Sequence, residues 1–250
     1  MNEWLDDFKT AVAFLTRLPM PPLQGPTPPD FSRAYRMLPV VGALIGLVVG
    51  LICLALRYLG VPDLAAAALA LGASAFLTGA LHEDGLADVA DGFGGGRDRA
   101  AKLEIMRDSR LGTYGALILL VSFAAKLSAL AAIPDGYVVQ SLIAAHALGR
   151  GILPWMSVKL PYARDDGLAR NAGQPDGSTA TIAASVAVIL ALLSLSWSNG
   201  LLSALLAGLS GLGMAWLAQR QIGGQTGDVL GGTEQVAETA ILVLLAARLA

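Results

Sequence analysis

The sequence predicts an all-α fold: a polytopic integral membrane helix bundle of about six to seven transmembrane helices, with an N-terminal interfacial amphipathic helix. Hydrophobic residues make up 55% of the 250 residues and charged residues 14%, and the mean hydropathy is +0.62. Soluble domains are much less apolar. Long apolar runs follow one another with short polar connections between them. We therefore expect one membrane domain over residues 1–250.

Charge and cysteine content exclude several functional classes. The net charge of −2 and the lack of a basic patch with interleaved aromatic residues argue against nucleic acid as a partner. The single cysteine, Cys53, excludes an internal disulfide and a cysteine-based metal site. We therefore expect neither a nucleic-acid partner nor a cysteine-based site.

Residues 1–36 are expected to form an interfacial helix and a linker. Apolar side chains recur at helical spacing between charged ones, at Trp4, Phe8, Val12 and Leu15. This pattern is typical of an amphipathic helix lying in the membrane interface. The proline-rich piece 19–29 cannot continue a helix and is expected to run as an extended linker.

Seven hydrophobic segments follow, and six of them have the roughly 20 residues needed to cross a bilayer. They are 37–59, 63–81, 111–133, 137–158, 179–197 and 200–218. The seventh, 236–250, would reach only about 22 Å as a helix. It is expected to span if its helix begins earlier, near Asp228 or Gly232, or if the bilayer thins around it.

Lysine and arginine, which are enriched in cytoplasmic loops, predict the orientation. They lie before the first segment and after the second, fourth and sixth, whereas the connections 60–62, 134–136 and 198–199 contain none. The N-terminus, the Asp/Gly/Arg-rich catalytic loop 82–110 and the acidic cluster 219–238 are therefore expected to face the cytoplasm. A transporter more often arranges its polar groups around the membrane midplane.

The first of these polar stretches contains a carboxylate pattern that favours a metal site. Asp84, Asp88 and Asp91 follow one another at i, i+4 and i+7, so on a helix they share a face within about 60°. Three close anions repel one another unless a cation neutralises them, and Mg²⁺ or Mn²⁺ is the natural candidate. A solvated helix end is the alternative. His82, about 160° from Asp84, is expected to be a hydrogen-bonded interfacial residue.

A glycine-rich run follows Asp91 and ends at Arg97. Successive glycines, including Gly94 and Gly95, would let backbone N–H groups converge on an anion, and Arg97 could donate to phosphate. A flexible loop without a ligand is the alternative interpretation.

Further candidates lie in and near the next segments. Asp108 either adds a metal ligand or caps a helix, and Arg107 and Arg110 either bind phosphate or follow the positive-inside rule. Ionisable groups inside hydrophobic segments are functional-site candidates. We expect Arg150 to reach a phosphate at the cytoplasmic surface, and Lys126 to extend toward the other face.

A second acidic stretch, 219–238, leads into the last hydrophobic segment. It contains Asp228, Glu234 and Glu238, and the last of these is at the edge of an apolar run, where an ionised carboxylate needs a partner. Acidic residues in a first helical turn also complement the helix dipole, which is the alternative. We expect a metal site shared by the two clusters.

Four sequence blocks resemble the cobalamin synthase (adenosylcobinamide-GDP ribazoletransferase) family. The blocks are HEDGLADVADG (82–92), GGRDR (95–99), IMRDSRLGTYG (105–115) and TGDVLGGTEQVAE (226–238). The FLTRLP and LPVVGALIG stretches near the N-terminus are similar to the opening of that family. The resemblance covers nearly the whole chain.

The resemblance implies a Mg²⁺-dependent phosphotransfer in the inner membrane of a bacterium, with the active site facing the cytoplasm. The 3′-hydroxyl of α-ribazole, or of its 5′-phosphate, attacks the phosphorus on the cobinamide side of adenosylcobinamide-GDP, and GMP leaves. The lipid bilayer is the other expected partner, and a homo-oligomer is left open. The residues implied for metal binding and catalysis are Asp84, Asp88, Asp91, Asp108, Asp228 and Glu238. Those implied for phosphate or GMP are Gly94, Gly95, Arg97, Arg107, Arg110 and Arg150.

Three alternatives remain beside this one. A CDP-alcohol phosphotransferase shares the D-x-x-D-G element at 88–92, but this chain lacks the rest of that motif. An aspartate-rich prenyltransferase would also use two acidic clusters with Mg²⁺. An ion-coupled transporter would use the acidic residues as ion ligands, with Lys126 and Arg150 along its pathway.

Overall fold

The computed structural model describes residues 3–21 and 31–249, with residue 168 described by its backbone alone. Thirteen α-helices and one 3-10 turn (Tyr35–Met37) form within these ranges. Most of the linker predicted over 19–29 lies outside the described residues. The helices are α1 (Glu3–Leu15), α2 (Phe31–Ala34), α3 (Leu38–Tyr58), α4 (Asp63–Thr78), α5 (Leu81–Gly95), α6 (Arg99–Ile105), α7 (Thr113–Ala132), α8 (Asp135–Gly151), α9 (Leu153–Lys159), α10 (Leu168–Ala172), α11 (Gly177–Ser194), α12 (Trp197–Ile222) and α13 (Gly227–Leu249).

Within the described residues, five stretches of helix are long and apolar enough to cross a membrane: Phe31–Tyr58, which includes α3, and the helices α7, α11, α12 and α13. The pair α4 and α5 would add a sixth crossing if it counts as one span. The predicted all-α, multi-pass membrane fold is therefore confirmed.

The second hydrophobic segment is bent, which the sequence did not predict. Gly79 and Ala80 both adopt left-handed backbone conformations, with φ of 68° and 55°, and α5 leaves α4 at an angle of 91°. Such conformations end a helix, and glycine adopts them without strain. The expected straight span 63–81 is thus replaced by a 16-residue helix followed by a separate helix that carries the aspartates.

Helix α8 packs along α3 through a row of glycines. A Cβ atom at Gly42, Gly46 or Gly50 would lie within 2.8 Å of backbone atoms of α8. The partners run from His146 through Leu142 to Val139 as the glycines ascend, so the two helices are antiparallel. Small residues at this spacing let membrane helices approach closely.

The fourth predicted segment, 137–158, forms two helices rather than one. Helix α8 has 17 residues and ends at Gly151, and α9 begins at Leu153 with Pro154 in its first turn. The proline lacks a backbone N–H and cannot extend the helix before it. Protein surrounds α8 on several sides, since α3, α11 and α13 pack against it.

The last helix begins early enough to meet the length condition set by the sequence. Helix α13 starts at Gly227 and contains 23 residues, which gives about 35 Å at 1.5 Å per residue. The acidic stretch 219–238, which was predicted to be a connection, therefore lies mostly within this helix.

The predicted amphipathic helix forms as α1, and ion pairs between side chains hold it against the bundle. Ala11 and Leu15 are buried, and so is the carboxylate of Asp7. Asp7 accepts hydrogen bonds from Arg33 (3.0 Å) and Arg36 (2.7 Å). These pairs anchor α1 beside the beginning of α3.

Candidate active site

Helices α5 and α13 cross at two glycines. A Cβ atom at Gly85 would lie 2.8 Å from the carbonyl oxygen of Asp228 and 3.2 Å from the Cα atom of Gly231. No larger residue fits such a crossing without displacing a backbone. The crossing brings the polar face of α5 against the first turn of α13.

Three aspartates meet at this crossing, and we call Asp84, Asp88 and Asp228 the acidic cluster. The carboxylate of Asp88 interacts electrostatically with those of Asp84 and Asp228, and these two also interact with each other. The structure thus brings Asp228 of the second acidic stretch beside Asp84 and Asp88 of the first, and the metal site that they would share stays a prediction. Clustered hard oxygen donors of this kind fit Mg²⁺.

A cavity of about 80 Å³ opens beside the acidic cluster. Asp84, Asp228 and His82 line one part of it, and the aromatic rings of Phe14 and Tyr35 line another. The carboxylates thus border a space that can admit part of a ligand.

Asp91 lies on the same helix but has a different environment. Its Oδ2 accepts a hydrogen bond from the backbone N–H of Gly112 (2.7 Å), and its Oδ1 accepts one from Gly115 (2.8 Å). These groups belong to the N-terminal turn of α7, whose first N–H groups have no partners within the helix. Asp91 therefore caps α7 from another helix with both of its oxygens.

The predicted glycine-rich loop is helical. Helix α5 continues through Gly94 and Gly95, so their backbone N–H groups point along the helix and do not converge on an anion. A Cβ atom at Gly94 would lie 2.8 Å from the ring of Tyr114, which gives this glycine a packing role. Arg97 follows the helix and is exposed.

The next predicted phosphate-binding residues form ion pairs at the surface. Arg107 donates to Asp166 at 2.6 Å, and Arg110 donates to Asp108 at 2.6 Å. The hydrogen bonds from Arg110 lower the pKa of Asp108. Asp108 does not cap α7, because that helix begins at Thr113 and the backbone N–H groups at its start donate to Asp91.

Charged groups in the bundle interior form a second assembly, which we call the buried ionic cluster. It comprises His82, Lys126, His146, Arg150, Glu234 and Glu238. Arg150 Nη1 donates to Glu234 Oε1, and Lys126 Nζ donates to Glu238 Oε1 at 3.2 Å. The two basic and two acidic side chains balance in charge, which is the condition for burying ions.

This second assembly differs from the sequence-based expectation for both basic residues. Lys126 does not extend to the opposite face, since it is 5% exposed and also donates to Gln235 at 2.7 Å. Arg150 is 1% exposed, and its guanidinium is engaged by Glu234 and His146 rather than reaching the surface. An ionised group within the bundle needs such partners.

The structure does not bring Glu238 to the acidic cluster. Glu238 follows Asp228 by ten residues on α13, a rise of about 15 Å. Ligand atoms of His146, Glu234 and Glu238 lie within 4.8 Å of one another. Arg150 Nη1 contacts all three residues, so a guanidinium takes the place that a cation would otherwise have.

His82 connects the two assemblies. It lines the cavity beside the acidic cluster, and its Nδ1 lies 3.5 Å from Glu234 Oε2 and 3.4 Å from Arg150 Nη2. His82 is 4% exposed, and its expected role as an interfacial residue outside the set of ligands stays a prediction. The buried ionic cluster thus begins directly beneath the candidate site.

Two residues at the site were not predicted. Thr226 donates its hydroxyl to Asp228 Oδ2 at 3.1 Å, and Arg164 donates to the same oxygen at 3.2 Å. The sequence showed Arg164 only as one of several basic loop residues. Its approach depends on a bridge between Tyr162 and Gln225, a contact between distant segments that leaves no periodic signal.

Comparison with known proteins agrees with the earlier resemblance. The model of the cobalamin-5-phosphate synthase family matches residues 7–246. A relative from Bradyrhizobium diazoefficiens, named adenosylcobinamide-GDP ribazoletransferase, is 47% identical over 242 residues, which covers 96% of this chain and 93% of the relative. Proteins of the same name from Sinorhizobium medicae and Rhizobium etli (strain CIAT 652) are each 43% identical and cover at least 98% of both chains. No solved structure matches. With this agreement along almost its entire length, the chain belongs to the cobalamin-5-phosphate synthase family.

Proposed function

We propose that this protein transfers the adenosylcobinamide-phosphate moiety of adenosylcobinamide-GDP to the 3′-hydroxyl of α-ribazole or of its 5′-phosphate, with release of GMP. The relatives carry the name of this activity. The observation that carries the proposal is the convergence of Asp84, Asp88 and Asp228, with Asp84 and Asp228 lining a cavity. These comparisons favour none of the three alternative functions.

The bonds and charges of this reaction define what the site must do. The attacking hydroxyl oxygen forms a bond to the phosphorus on the cobinamide side, the bond from that phosphorus to the bridging oxygen breaks, and GMP leaves with the bridging oxygen. The hydroxyl proton passes to a carboxylate and then to water. Negative charge grows on GMP, so the site must supply cationic groups near the diphosphate.

Mg²⁺ is the cofactor that the acidic cluster fits. Asp84, Asp88 and Asp228 would hold it, and the ion when bound would neutralise charge on the diphosphate oxygens. Asp91 is outside this proposal because both of its oxygens accept backbone hydrogen bonds. Glu238 is outside it because it lies about 15 Å along α13 from Asp228.

We further place the site at the cytoplasmic face of the bacterial inner membrane. The connections 96–112 and 160–176 lie at the helix ends near the acidic cluster, and they contain seven of the twelve basic residues that follow α3. The positive-inside rule assigns such connections to the cytoplasm. Nucleotide substrates are available on that side.

The direct test follows GMP release by the purified protein in detergent or liposomes, with adenosylcobinamide-GDP and α-ribazole phosphate, with and without Mg²⁺. We expect Mg²⁺-dependent GMP release coupled to a cobalamin product. D88N should lower turnover by roughly 100-fold or more, because it removes one of the charged side chains proposed to hold Mg²⁺. The matched control is E104Q, which removes an exposed carboxylate of α6. Normal turnover by folded D88N would contradict the assignment of this site.

A further inference from the structure

Arg164 lies beside the acidic cluster, although it comes from the connection between α9 and α10. Its Nη2 donates to Asp228 Oδ2 at 3.2 Å, and its charge also acts on Asp88. The Arg164 side chain is 13% exposed. A cation of the protein itself is therefore present where the carboxylates converge.

The guanidinium of Arg164 is only partly satisfied. Its Nη1 atom is buried and has no hydrogen-bond partner in the described parts of the chain. Its Nε lies 3.8 Å from Asp166 Oδ1, which is longer than a hydrogen bond. A buried charged donor without an acceptor costs free energy, so a purely structural pairing with Asp228 explains this arrangement poorly.

The backbone beneath Arg164 is fixed by neighbouring segments. The N–H of Ala163 donates to Gln225 at 2.9 Å, and the carbonyl oxygen of Ala163 accepts from Arg99 at 2.6 Å. A Cβ atom at Gly224 would lie 2.2 Å from the carbonyl oxygen of Pro161, so the segments that contain these two residues are in close contact. The side chain can change partners while its attachment point stays in place.

We propose that Arg164 binds a phosphate group of the diphosphate substrate, and that it exchanges its contact with Asp228 for this phosphate. This proposal rests on the proposed function. A divalent cation held by the acidic cluster would compete with Arg164 for the Asp228 carboxylate, because both neutralise the same charge. Once released, the planar fork of the guanidinium matches two oxygens of a phosphate. Arg164 then offsets the charge that develops on the departing GMP.

The test measures the affinities of the protein for Mn²⁺ and for adenosylcobinamide-GDP, which Arg164 is expected to change in opposite directions. Mn²⁺ binding to the protein alone is measured by electron paramagnetic resonance, and adenosylcobinamide-GDP binding is measured with Mn²⁺ present. R164Q is expected to bind Mn²⁺ roughly threefold more tightly, because a competing positive charge is gone. It is expected to bind the substrate at least roughly tenfold more weakly, because a charge-assisted hydrogen-bonded pair is lost. R220Q, which removes an exposed arginine stacked on Trp216, should leave both affinities at the wild-type level.

R164K separates charge from hydrogen-bond geometry and serves also if R164Q does not fold. It should bind Mn²⁺ like the wild type and still bind the substrate more weakly, because lysine lacks the fork. Parallel losses of Mn²⁺ and substrate affinity in both variants would show a merely structural residue and overturn the proposal, as would unchanged substrate affinity. Absence of turnover by the wild type would instead overturn the proposed function, and the Mn²⁺ measurement distinguishes the two failures.

Discussion

Single carboxylates in this protein have three distinct environments. Asp91 accepts two backbone hydrogen bonds, and Glu238 has Lys126 and His146 as partners. Asp88, in contrast, is repelled by the charges of Asp228, Asp84 and Asp91. The first two arrangements stabilise the fold, whereas the third costs free energy because like charges are held together.

Replacing Asp88 should therefore stabilise the metal-free protein. D88N removes the charge of the side chain and keeps its shape. We expect the free energy of unfolding to rise by about 1 kcal/mol, which corresponds to an increase of roughly 2–4 °C in Tm. Thermal unfolding in detergent with EDTA, followed by fluorescence of the four tryptophans, would measure it. E104Q is the control, with an expected change near zero. A lower Tm for D88N would show that this carboxylate has a structural role.

Removing one partner of the Arg150–Glu234 pair should, in contrast, destabilise the protein. Both side chains are essentially without solvent exposure, so R150M leaves a buried carboxylate unpaired and should cost about 3–5 kcal/mol. The double variant R150M/E234M should recover much of this loss, since neither charge remains. Chemical or thermal unfolding of the wild type, R150M, E234M and the double variant gives the coupling energy. Additive losses in the double variant would argue against the pairing.

Helices α3 and α8 are in close contact, and Gly46 is the middle one of the three glycines that line this contact. A Cβ atom at Gly46 would lie 2.3 Å from the carbonyl oxygen of Leu142, so G46A should destabilise the bundle by about 1–3 kcal/mol through overpacking. Gly72 on α4 has open space around its Cα, which makes G72A a matched control in another apolar helix. Equal Tm values for G46A and G72A would contradict this packing.

Helix existence could be predicted from sequence far better than helix junctions. Apolar runs of bilayer length mark α7, α11 and α12, because burial in lipid requires apolar side chains on every face. The bend at Ala80 could not be predicted in this way, since alanine favours helix and only the tertiary structure holds it in a left-handed conformation. The split at Ile152 differs, because Pro154 in the first turn of α9 is a local signal that ends the preceding helix.

For the molecule as a whole, the distribution of basic residues predicts which face lies in the cytoplasm. In a Cys53→Ala background, S198C should react with a membrane-impermeant maleimide in intact spheroplasts, and R97C only after permeabilisation. Both positions are exposed. The wild type is the control, because its one cysteine is buried. Labelling of R97C from outside would reverse the proposed orientation.

The candidate site was predictable in its residue types and only partly in its membership. The i, i+4, i+7 spacing placed Asp84 and Asp88 on one helix face, and the acidic start of α13 supplied Asp228. Spacing could not show that Asp91 would be engaged by α7, or that Arg164 would approach from a separate connection. Those contacts join distant segments, and one sequence contains no direct record of them.

The glycine crossing of α5 and α13 has a consequence for how the protein tolerates its surroundings. Main-chain atoms of Gly85, Asp228 and Gly231 are in contact there, and main-chain atoms have no rotamers to exchange. The separation of the carboxylate-bearing turns is therefore set by atomic radii rather than by the repacking of side chains. Bilayers differ in thickness, and membrane helices adjust to them by tilting. A separation defined by backbone contact can keep its dimensions while the rest of the bundle adapts to its lipid.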